Sequence, residues 1–116
     1  MDITEIQNQL REFAAEREWE QFHTPKNLVM ALSGEAGELT DLFQWKTAEE
    51  SQCSSLSESE IEEVRQEMAD IALYLIRLSD KLEIDLEGAI QQKLKVNAEK
   101  YPVNVSKGNA TKYSRR

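Results

Sequence analysis

The sequence predicts an all-α fold of four helices, and two observations support this prediction. Apolar residues recur at intervals of three and four positions in four separate segments, the spacing that places them on one helix face. No segment shows a strand-like alternation of polar and apolar residues that rivals this period. The chain has 116 residues, which is enough for one ordinary domain and too few for two.

The first two predicted helices occupy the N-terminal part of the sequence. The first runs from about residue 2 to residue 18. Its apolar face contains Ile6, Leu10, Phe13 and Ala14. The second has a sharp start, because Thr24 offers a capping hydroxyl and Pro25 suits the first helical position. We expect it to end near Trp45, and the polar, serine-rich residues 46–57 to form a loop. Its apolar stripe consists of Leu28, Leu32, Ala36, Leu39 and Phe43.

The third and fourth predicted helices follow the serine-rich loop. Ser57-x-x-Glu60 is a capping-box pattern, which indicates the start of the third helix. The fourth begins near Asp85 and stops before Tyr101-Pro102, because a residue that precedes proline disfavours the helical backbone. The apolar stripe of the third helix consists of Ile61, Val64, Met68, Ile71, Leu75, Leu78 and Leu82.

We therefore predict one helical domain over residues 1–102 and a basic C-terminal tail over residues 103–116. The second and third helices are apolar around much of their circumference, which is typical of buried helices. In a bundle of four short helices, the first and fourth helices have too little surface to cover the second and third. We therefore expect the chain to self-associate.

Composition excludes several classes of function. With 22 acidic and 14 basic residues, the formal net charge is -8, whereas a protein that binds a nucleic-acid duplex needs a basic face. Cys53 is the only cysteine, so there is no intramolecular disulfide and no cysteine-based zinc site. No apolar run approaches the length of a membrane span, and the N-terminus lacks the order of a signal peptide. We expect a cytoplasmic protein.

Two acidic motifs are the main functional signal: Glu35-x-x-Glu38 in the second helix and Glu67-x-x-Asp70 in the third. Residues three apart share a helix face, and carboxylates among apolar neighbours need a compensating cation. If the two helices pack antiparallel, four carboxylates converge into an all-oxygen donor set that suits Mg²⁺ or Mn²⁺. A diiron site would need Glu-x-x-His, and the only histidine, His23, lies outside both motifs. Acids that simply face solvent are the alternative.

A magnesium site of this kind favours a nucleotide as substrate. Mg²⁺ usually recruits substrate phosphates as ligands, and a flat aromatic side chain such as Trp19 or Trp45 can stack on a nucleobase. Tyr74 follows Asp70 by four residues and shares its helix face. Ordinary core packing is the alternative for each of these aromatic residues.

The two acidic motifs, separated by 28 residues, resemble those of the MazG-type all-α nucleoside triphosphate pyrophosphatases over nearly the whole chain. The resemblance is greatest to the dCTP pyrophosphatase branch of that superfamily. The supporting motifs are Phe13-Ala-Ala-Glu-Arg17, Trp19-Glu-Gln-Phe-His23, Leu42-Phe-Gln-Trp-Lys46 and Lys100-Tyr-Pro102. The resemblance implies Mg²⁺-dependent cleavage between the α and β phosphates. It also implies a homo-oligomer, commonly a tetramer built as a dimer of dimers.

The resemblance also implies roles for individual residues. The metal ligands would be Glu35, Glu38, Glu67 and Asp70. Either Glu35 or Glu38 would also orient the attacking water as the catalytic carboxylate. The nucleoside pocket would contain Trp19, Phe22, His23, Trp45 and Tyr74. The residues near the phosphates would be Lys93, Asn97 and Tyr101.

The expected function is hydrolysis of deoxynucleoside triphosphates, with dCTP favoured, to the monophosphate and pyrophosphate. Such an activity would remove excess or modified nucleotides, and residues 1–102 would be the catalytic domain. Relatives in the dCTP branch can have a histidine nine residues before the tryptophan, where this chain has Leu10. The base preference therefore stays open, and a broad-specificity or modified-nucleotide pyrophosphatase is one alternative. A non-catalytic helical interaction module is another, although the intact acidic motifs argue against it.

Overall fold

In the computed structural model, which describes residues 1–112 and 114, every regular element is a helix. The α-helices are α1 (Ile3–Glu16), α2 (Pro25–Phe43), α3 (Glu58–Lys81), α4 (Leu86–Lys100) and α5 (Val103–Ser106). Two single-turn 3-10 helices, Glu20–Phe22 and Cys53–Ser55, lie in the connections. The predicted all-α class and the four long helices are confirmed. The sequence reading did not predict α5, which has one turn and no apolar stripe.

The chain divides into two compact units, residues 1–83 and residues 84–116. The first contains α1, α2 and α3, and the second contains α4 and α5. The extent of a catalytic domain over 1–102 stays a prediction, and the predicted tail at 103–116 includes residues outside the described part of the chain. None of the described helices combines the length and apolar character that crossing a bilayer requires.

Helices α2 and α3 form the most extensive helix–helix contact of the first unit. Lys46, just after α2, donates a hydrogen bond to Glu60 in the first turn of α3, with an Nζ–Oε2 distance of 2.5 Å. Glu35, which precedes Lys46 by about three turns, lies close to Glu67, which follows Glu60 by about two turns along α3. The two helices therefore run antiparallel, as the convergence of the acidic motifs requires.

The start of α3 has the predicted capping box. The Ser57 hydroxyl accepts a hydrogen bond from the Glu60 N–H at 3.1 Å, and the Glu60 carboxylate accepts one from the Ser57 N–H at 3.0 Å. Lys46 bonds the same carboxylate, and together these donors lower the pKa of Glu60 to about 2, with Lys46 the largest cause. The Glu60 side chain thus caps the N-terminus of α3 and also joins α3 to the end of α2.

Helix α1 packs along the C-terminal half of α3. Gln7 donates to the buried Ser79 hydroxyl at 3.2 Å, and Arg11 Nε donates to Asp80 Oδ2 at 2.6 Å. The buried apolar residues of this unit are Ile3, Ala14, Leu28 and Ile76. Other large apolar side chains of α2 and α3 stay exposed in the single chain, namely Val29, Met30, Met68, Leu73 and Leu75. This uncovered apolar surface is the physical basis of the expected self-association.

Removal of the N-cap hydroxyl tests the role of the capping box. Ser57→Ala is expected to lower the free energy of unfolding by about 1 kcal/mol, because an N-cap change to alanine leaves a first-turn N–H without its acceptor. Urea denaturation followed by circular dichroism measures the loss. Ser54→Ala, in the same loop but outside the box, is the matched control. Equal losses in the two variants would contradict the assignment.

The pH dependence of stability tests the bond between Lys46 and Glu60. Because the folded-state pKa of Glu60 is lowered to about 2, its stabilisation is complete above its ordinary pKa and is lost as the pH falls through about 2. Glu60→Gln is therefore expected to be less stable than the parent at pH 7, by a margin that shrinks as the solution is acidified. Thermal melting between pH 2 and pH 7 measures this margin, and a margin independent of pH refutes the prediction. Glu58→Gln, which removes a charge from the same helical turn but keeps the bond between Lys46 and Glu60, is the control.

Candidate metal centre and adjoining cavity

Three carboxylates converge between α2 and α3. Glu35 and Glu38 on α2 and Glu67 on α3 each offer an oxygen, and these three oxygens lie within 4.8 Å of one another. We call these residues the three-carboxylate cluster. Asp70, predicted as a fourth ligand, is outside this cluster and lines the adjoining cavity beside Glu35. The structure thus brings both acidic motifs to one place, with three of the four acids in closest proximity.

Two oxygens of the cluster are buried and have no hydrogen-bond donor in the part of the chain that the structure describes. They are Oε2 of Glu35 and Oε2 of Glu67, one from each helix. A buried carboxylate oxygen with no donor is unfavourable unless a cation neutralises it. The chemistry of the residues therefore fits a hard divalent cation, and a donor set made only of carboxylate oxygens suits Mg²⁺ or Mn²⁺.

The electrostatics of the cluster also favour a bound cation. The neighbouring Glu67 carboxyl raises the pKa of Glu35 above its ordinary value, and desolvation and the charge of Asp70 act in the same direction. Glu38 opposes this change to a smaller degree. A proton on Glu35 relieves the repulsion between like charges in the absence of metal, and a divalent cation would do so more completely.

A cavity of about 590 Å³ adjoins the cluster, a volume in the range of small-molecule sites. Carboxylates from both acidic motifs, Glu35 and Asp70, lie in its wall. The rest of the wall contains Ile6, Gln9, Leu10, Phe13, Trp19, His23, Leu73, Tyr74 and Arg77. The cavity therefore combines acidic groups with a largely apolar and aromatic surface, which suits a ligand with a charged part and a flat part.

A left-handed turn at the end of α1 brings Trp19 to the cavity. Glu18 has a φ of 54°, and the N–H groups of Glu18 and Trp19 donate back to the carbonyls of Ala15 and Ala14 at 3.1 Å and 2.8 Å. This pattern is a Schellman motif, in which the residue after the turn often contacts the last turns of the helix. Here the Trp19 indole packs edge-on against Phe13, with ring centroids 5.7 Å apart.

Arg77 joins α3 to the segment that carries Trp19 and His23. The residue is only 3% exposed, and each of its three guanidinium nitrogens donates to a different side chain. Nη2 bonds Glu20 at 2.5 Å, Nε bonds His23 Nδ1 at 3.2 Å, and Nη1 bonds Asp80 at 3.3 Å. Burial lowers the pKa of His23, and the positive charge of Arg77 lowers it further. His23 is therefore neutral at pH 7.

The sequence reading missed Arg77, although the sequence contains a signal for it. Glu67, Asp70, Tyr74 and Arg77 are spaced by three, four and three residues along α3. This spacing places all four on one helix face, which is the face that the acidic motif had already indicated. An arginine on that face, between the apolar residues Ile76 and Leu78, indicates a buried cation with acidic partners.

The predicted nucleoside-pocket residues fall into two groups. Trp19, His23 and Tyr74 line the cavity, as does Leu10. Phe22 and Trp45 do not line it and are 59% and 88% exposed. The residues predicted near the phosphates belong to the second unit, where Lys93 and Asn97 lie on α4 and Tyr101 caps its end.

Comparison with known proteins places this arrangement in a family. The model of the MazG-like family matches residues 30–115. The chain belongs to the MazG-like family. The matched region includes both acidic motifs, Tyr74 and Arg77, whereas α1 and the segment from Trp19 to His23 lie before it.

Individual relatives match the chain over a longer range than the MazG-like model. The dCTP pyrophosphatase 1 of Bos taurus is 45% identical and that of Homo sapiens is 40% identical, each over 112 residues. These matches cover 97% of this chain, which spans 66% of the length of these curated relatives. A crystal structure of a pyrophosphatase from Archaeoglobus fulgidus superposes with a TM-score of 0.77 at 39% identity, covering 85% of this chain and 91% of that one.

Neutralising Glu35 tests the repulsion in the cluster. A raised folded-state pKa means that the associated stabilisation is present below the ordinary pKa of a glutamate and is lost as the pH rises through the raised value. At pH 8 in a chelating buffer, Glu35→Gln is therefore expected to melt at a higher temperature than the parent. Added Mg²⁺ is expected to raise the melting temperature of the parent by several degrees and that of the variant much less.

Glu63→Gln is the matched control for this experiment, because Glu63 is an exposed acid on α3 outside the cluster. It is expected to respond to Mg²⁺ as the parent does. If all three proteins gave the same response to Mg²⁺, the cluster would not be the binding site.

Proposed function

We propose that this chain is a Mg²⁺-dependent nucleoside triphosphate pyrophosphohydrolase that favours dCTP. It would release the deoxynucleoside monophosphate and pyrophosphate, and would clear excess or modified nucleotides from the cytoplasmic pool. The observation that carries the proposal is the position of Glu35, which belongs both to the three-carboxylate cluster and to the wall of the aromatic cavity. A metal-binding end and a base-binding end therefore meet in one site.

The acidic end would hold the cation and the triphosphate. The proposed ligands are Glu35, Glu38, Glu67 and Asp70. When bound there, Mg²⁺, or Mn²⁺ in its place, would neutralise phosphate charge and polarise the phosphorus–oxygen bond that breaks. The two buried oxygens without donors, on Glu35 and Glu67, support these residues as direct ligands.

A carboxylate of the same motif would orient the attacking water. Glu38 is the better candidate because its side chain is exposed, whereas Glu35 has one oxygen buried without a donor. The water oxygen attacks the α-phosphorus while the carboxylate accepts a proton from it. The bond from the α-phosphorus to the oxygen that bridges to the β-phosphorus then breaks, and pyrophosphate leaves.

The aromatic end would bind the base and sugar. Trp19 would stack on the base, while His23 and Tyr74 offer hydrogen bonds from the same cavity wall. The names of the mammalian relatives support dCTP as the preferred substrate. A broader specificity is the alternative, and Leu10 favours it, because an apolar side chain in this wall makes no hydrogen bond to a base.

The other residues that the family resemblance singles out are also part of the proposal. Lys93, Asn97 and Tyr101 would contact the phosphates, for which the lysine offers a point charge. Phe22 and Trp45 would complete the site in a homotetramer built as a dimer of dimers. Their exposure in the single chain supports this role, because large aromatic residues are enriched in the buried centres of interfaces.

A panel of canonical and modified nucleoside triphosphates tests the proposed reaction. With Mg²⁺, the expected products are a monophosphate and pyrophosphate, with dCTP giving the highest kcat/KM. Pyrophosphate and orthophosphate are measured separately. Release of orthophosphate alone refutes cleavage between the α and β phosphates, and equal kcat/KM values across the bases favour the broad-specificity alternative. No turnover of any nucleotide would instead favour a non-catalytic helical module.

The role of Glu38 is tested by replacing its carboxylate with the amide of glutamine. Glu38→Gln is expected to lower kcat by about 100-fold or more, the usual contribution of a positioned acid or base. Steady-state kinetics with saturating Mg²⁺ measure the change. Glu63→Gln again serves as the control and is expected to keep the parent kcat. Full turnover by Glu38→Gln would overturn the assignment.

A further inference from the structure

The contact between Arg77 and His23 determines which ring nitrogen of the histidine carries the proton. The Nε–H of Arg77 donates to Nδ1 of His23 at 3.2 Å. An arginine nitrogen is only a donor, and it stays protonated at every accessible pH. Nδ1 must therefore be the acceptor, so the proton of the neutral imidazole lies on Nε2.

The surroundings of Arg77 hold its guanidinium in this orientation. Its other two nitrogens are bonded to Glu20 and Asp80, and Arg11 and Lys81 bond the same two carboxylates. The guanidinium is buried and is fixed on three sides, so it cannot turn away from His23 without breaking an ion pair. The ion pairs with Glu20 and Asp80 balance the charge of Arg77 within the protein, which favours an organising role for this residue.

The imidazole is part of the cavity wall, beside Trp19. His23 lies in the cavity wall, and its ring is 6.3 Å from the Trp19 ring, centroid to centroid, in an edge-on arrangement. Nε2 has no hydrogen-bond partner within residues 1–112 and at 114. The Nε2 proton is therefore available to a ligand beside the indole on which a base would stack.

We propose that Arg77 is a positioning residue that locks His23 as the Nε2–H tautomer, so that the cavity presents a hydrogen-bond donor to an acceptor atom of the nucleobase. The acceptor is a carbonyl oxygen or an unprotonated ring nitrogen of the base. A base that has only an N–H group at this point would face the N–H of His23 Nε2, donor against donor, and its binding would be disfavoured. This inference rests on the proposed function for the identity of the ligand, but the tautomer is a property of the free protein.

The tautomer is measured directly because His23 is the only histidine in the chain. Long-range proton–nitrogen correlation spectra of ¹⁵N-labelled parent protein at pH 7 resolve both ring nitrogens without overlap from other histidines. The expected result is a protonated, pyrrole-type signal for Nε2 and an unprotonated, pyridine-type signal for Nδ1. The opposite assignment, or a rapidly averaged pair of signals, overturns the proposal without any variant being needed.

The role of Arg77 is tested with Arg77→Lys, which keeps the positive charge and loses the planar guanidinium. Its His23 signals are expected to average between the two tautomers. Its KM for dCTP is expected to rise about 5- to 10-fold, the equivalent of one neutral hydrogen bond, with kcat changed much less because no reacting atom is touched. Lys81→Gln is the control, because Lys81 bonds Glu20 as Arg77 does but does not contact His23. A fixed Nε2–H tautomer or an unchanged KM in Arg77→Lys refutes the positioning role.

Ligand titrations distinguish the base from the phosphates as the source of the acceptor. The probes are the non-hydrolysable α,β-imido analogue of dCTP and inorganic imidodiphosphate, each added with Mg²⁺. The Nε2 signal is expected to move with the analogue and to stay in place with imidodiphosphate. Equal movement with both, or no movement with either, overturns the assignment to the base. Failure of the proposed function would appear separately, as a lack of pyrophosphate release with the tautomer still fixed.

Discussion

The antiparallel packing of α2 against α3 forces carboxylates of like charge together, and the candidate site depends on this constraint. The register is fixed at one end, where Glu60 both caps α3 and binds Lys46. With the register fixed, Glu35 and Glu67 meet, and each has one buried oxygen without a donor among the described residues. Nothing in the packing of two helices requires acids at these positions. Their presence is understandable when a divalent cation is part of the folded, active state.

The polar face of α3 contains two contrasting clusters. Near its middle, Glu67 and Asp70 face other acids, and no ion pair within residues 1–112 and at 114 balances their negative charge. About two and three turns beyond Asp70, Arg77 and Asp80 belong to a network in which cations and carboxylates alternate. The balanced network holds the Trp19–His23 segment in place. The acidic cluster keeps an uncompensated negative charge, which a bound cation would neutralise. In the proposed site, this difference in charge balance would separate the residues that organise the site from the residues that bind.

The sequence predicts elements whose causes are local. The capping box at Ser57 and the proline start of α2 involve residues within a few positions, and both are confirmed. The contact between Arg77 and His23 spans 54 residues and depends on how α3 meets the end of α1. Periodicity within one segment carries no information about such a contact. The turn at Glu18 is equally hidden, because the left-handed conformation there is adopted by a glutamate rather than by the usual glycine.

The exposed aromatic residues show where a single chain is insufficient to predict a complete site. Trp45 follows α2 at the level of the Lys46–Glu60 bond, away from the cavity wall, and its indole is almost fully exposed. The family resemblance groups it with Trp19 in the nucleoside pocket, and that assignment stays a prediction. A shared residue type does not ensure a shared location, and only the packing of α1 and α3 distinguishes the two.

The composition of the cavity wall bears on how strongly the site can select a base. An apolar surface such as that of Leu10 discriminates between bases of similar shape by only about 1–3 kcal/mol, whereas a site built to hydrogen-bond a substrate group rejects analogues that lack it far more strongly. His23 and Tyr74 are polar groups of the aromatic end. Selectivity for the base therefore depends on the orientation of very few groups. Because Arg77 lies in the same cavity wall and would fix the proton of His23, base recognition in the proposed site would be linked to the ion-pair network that holds Arg77.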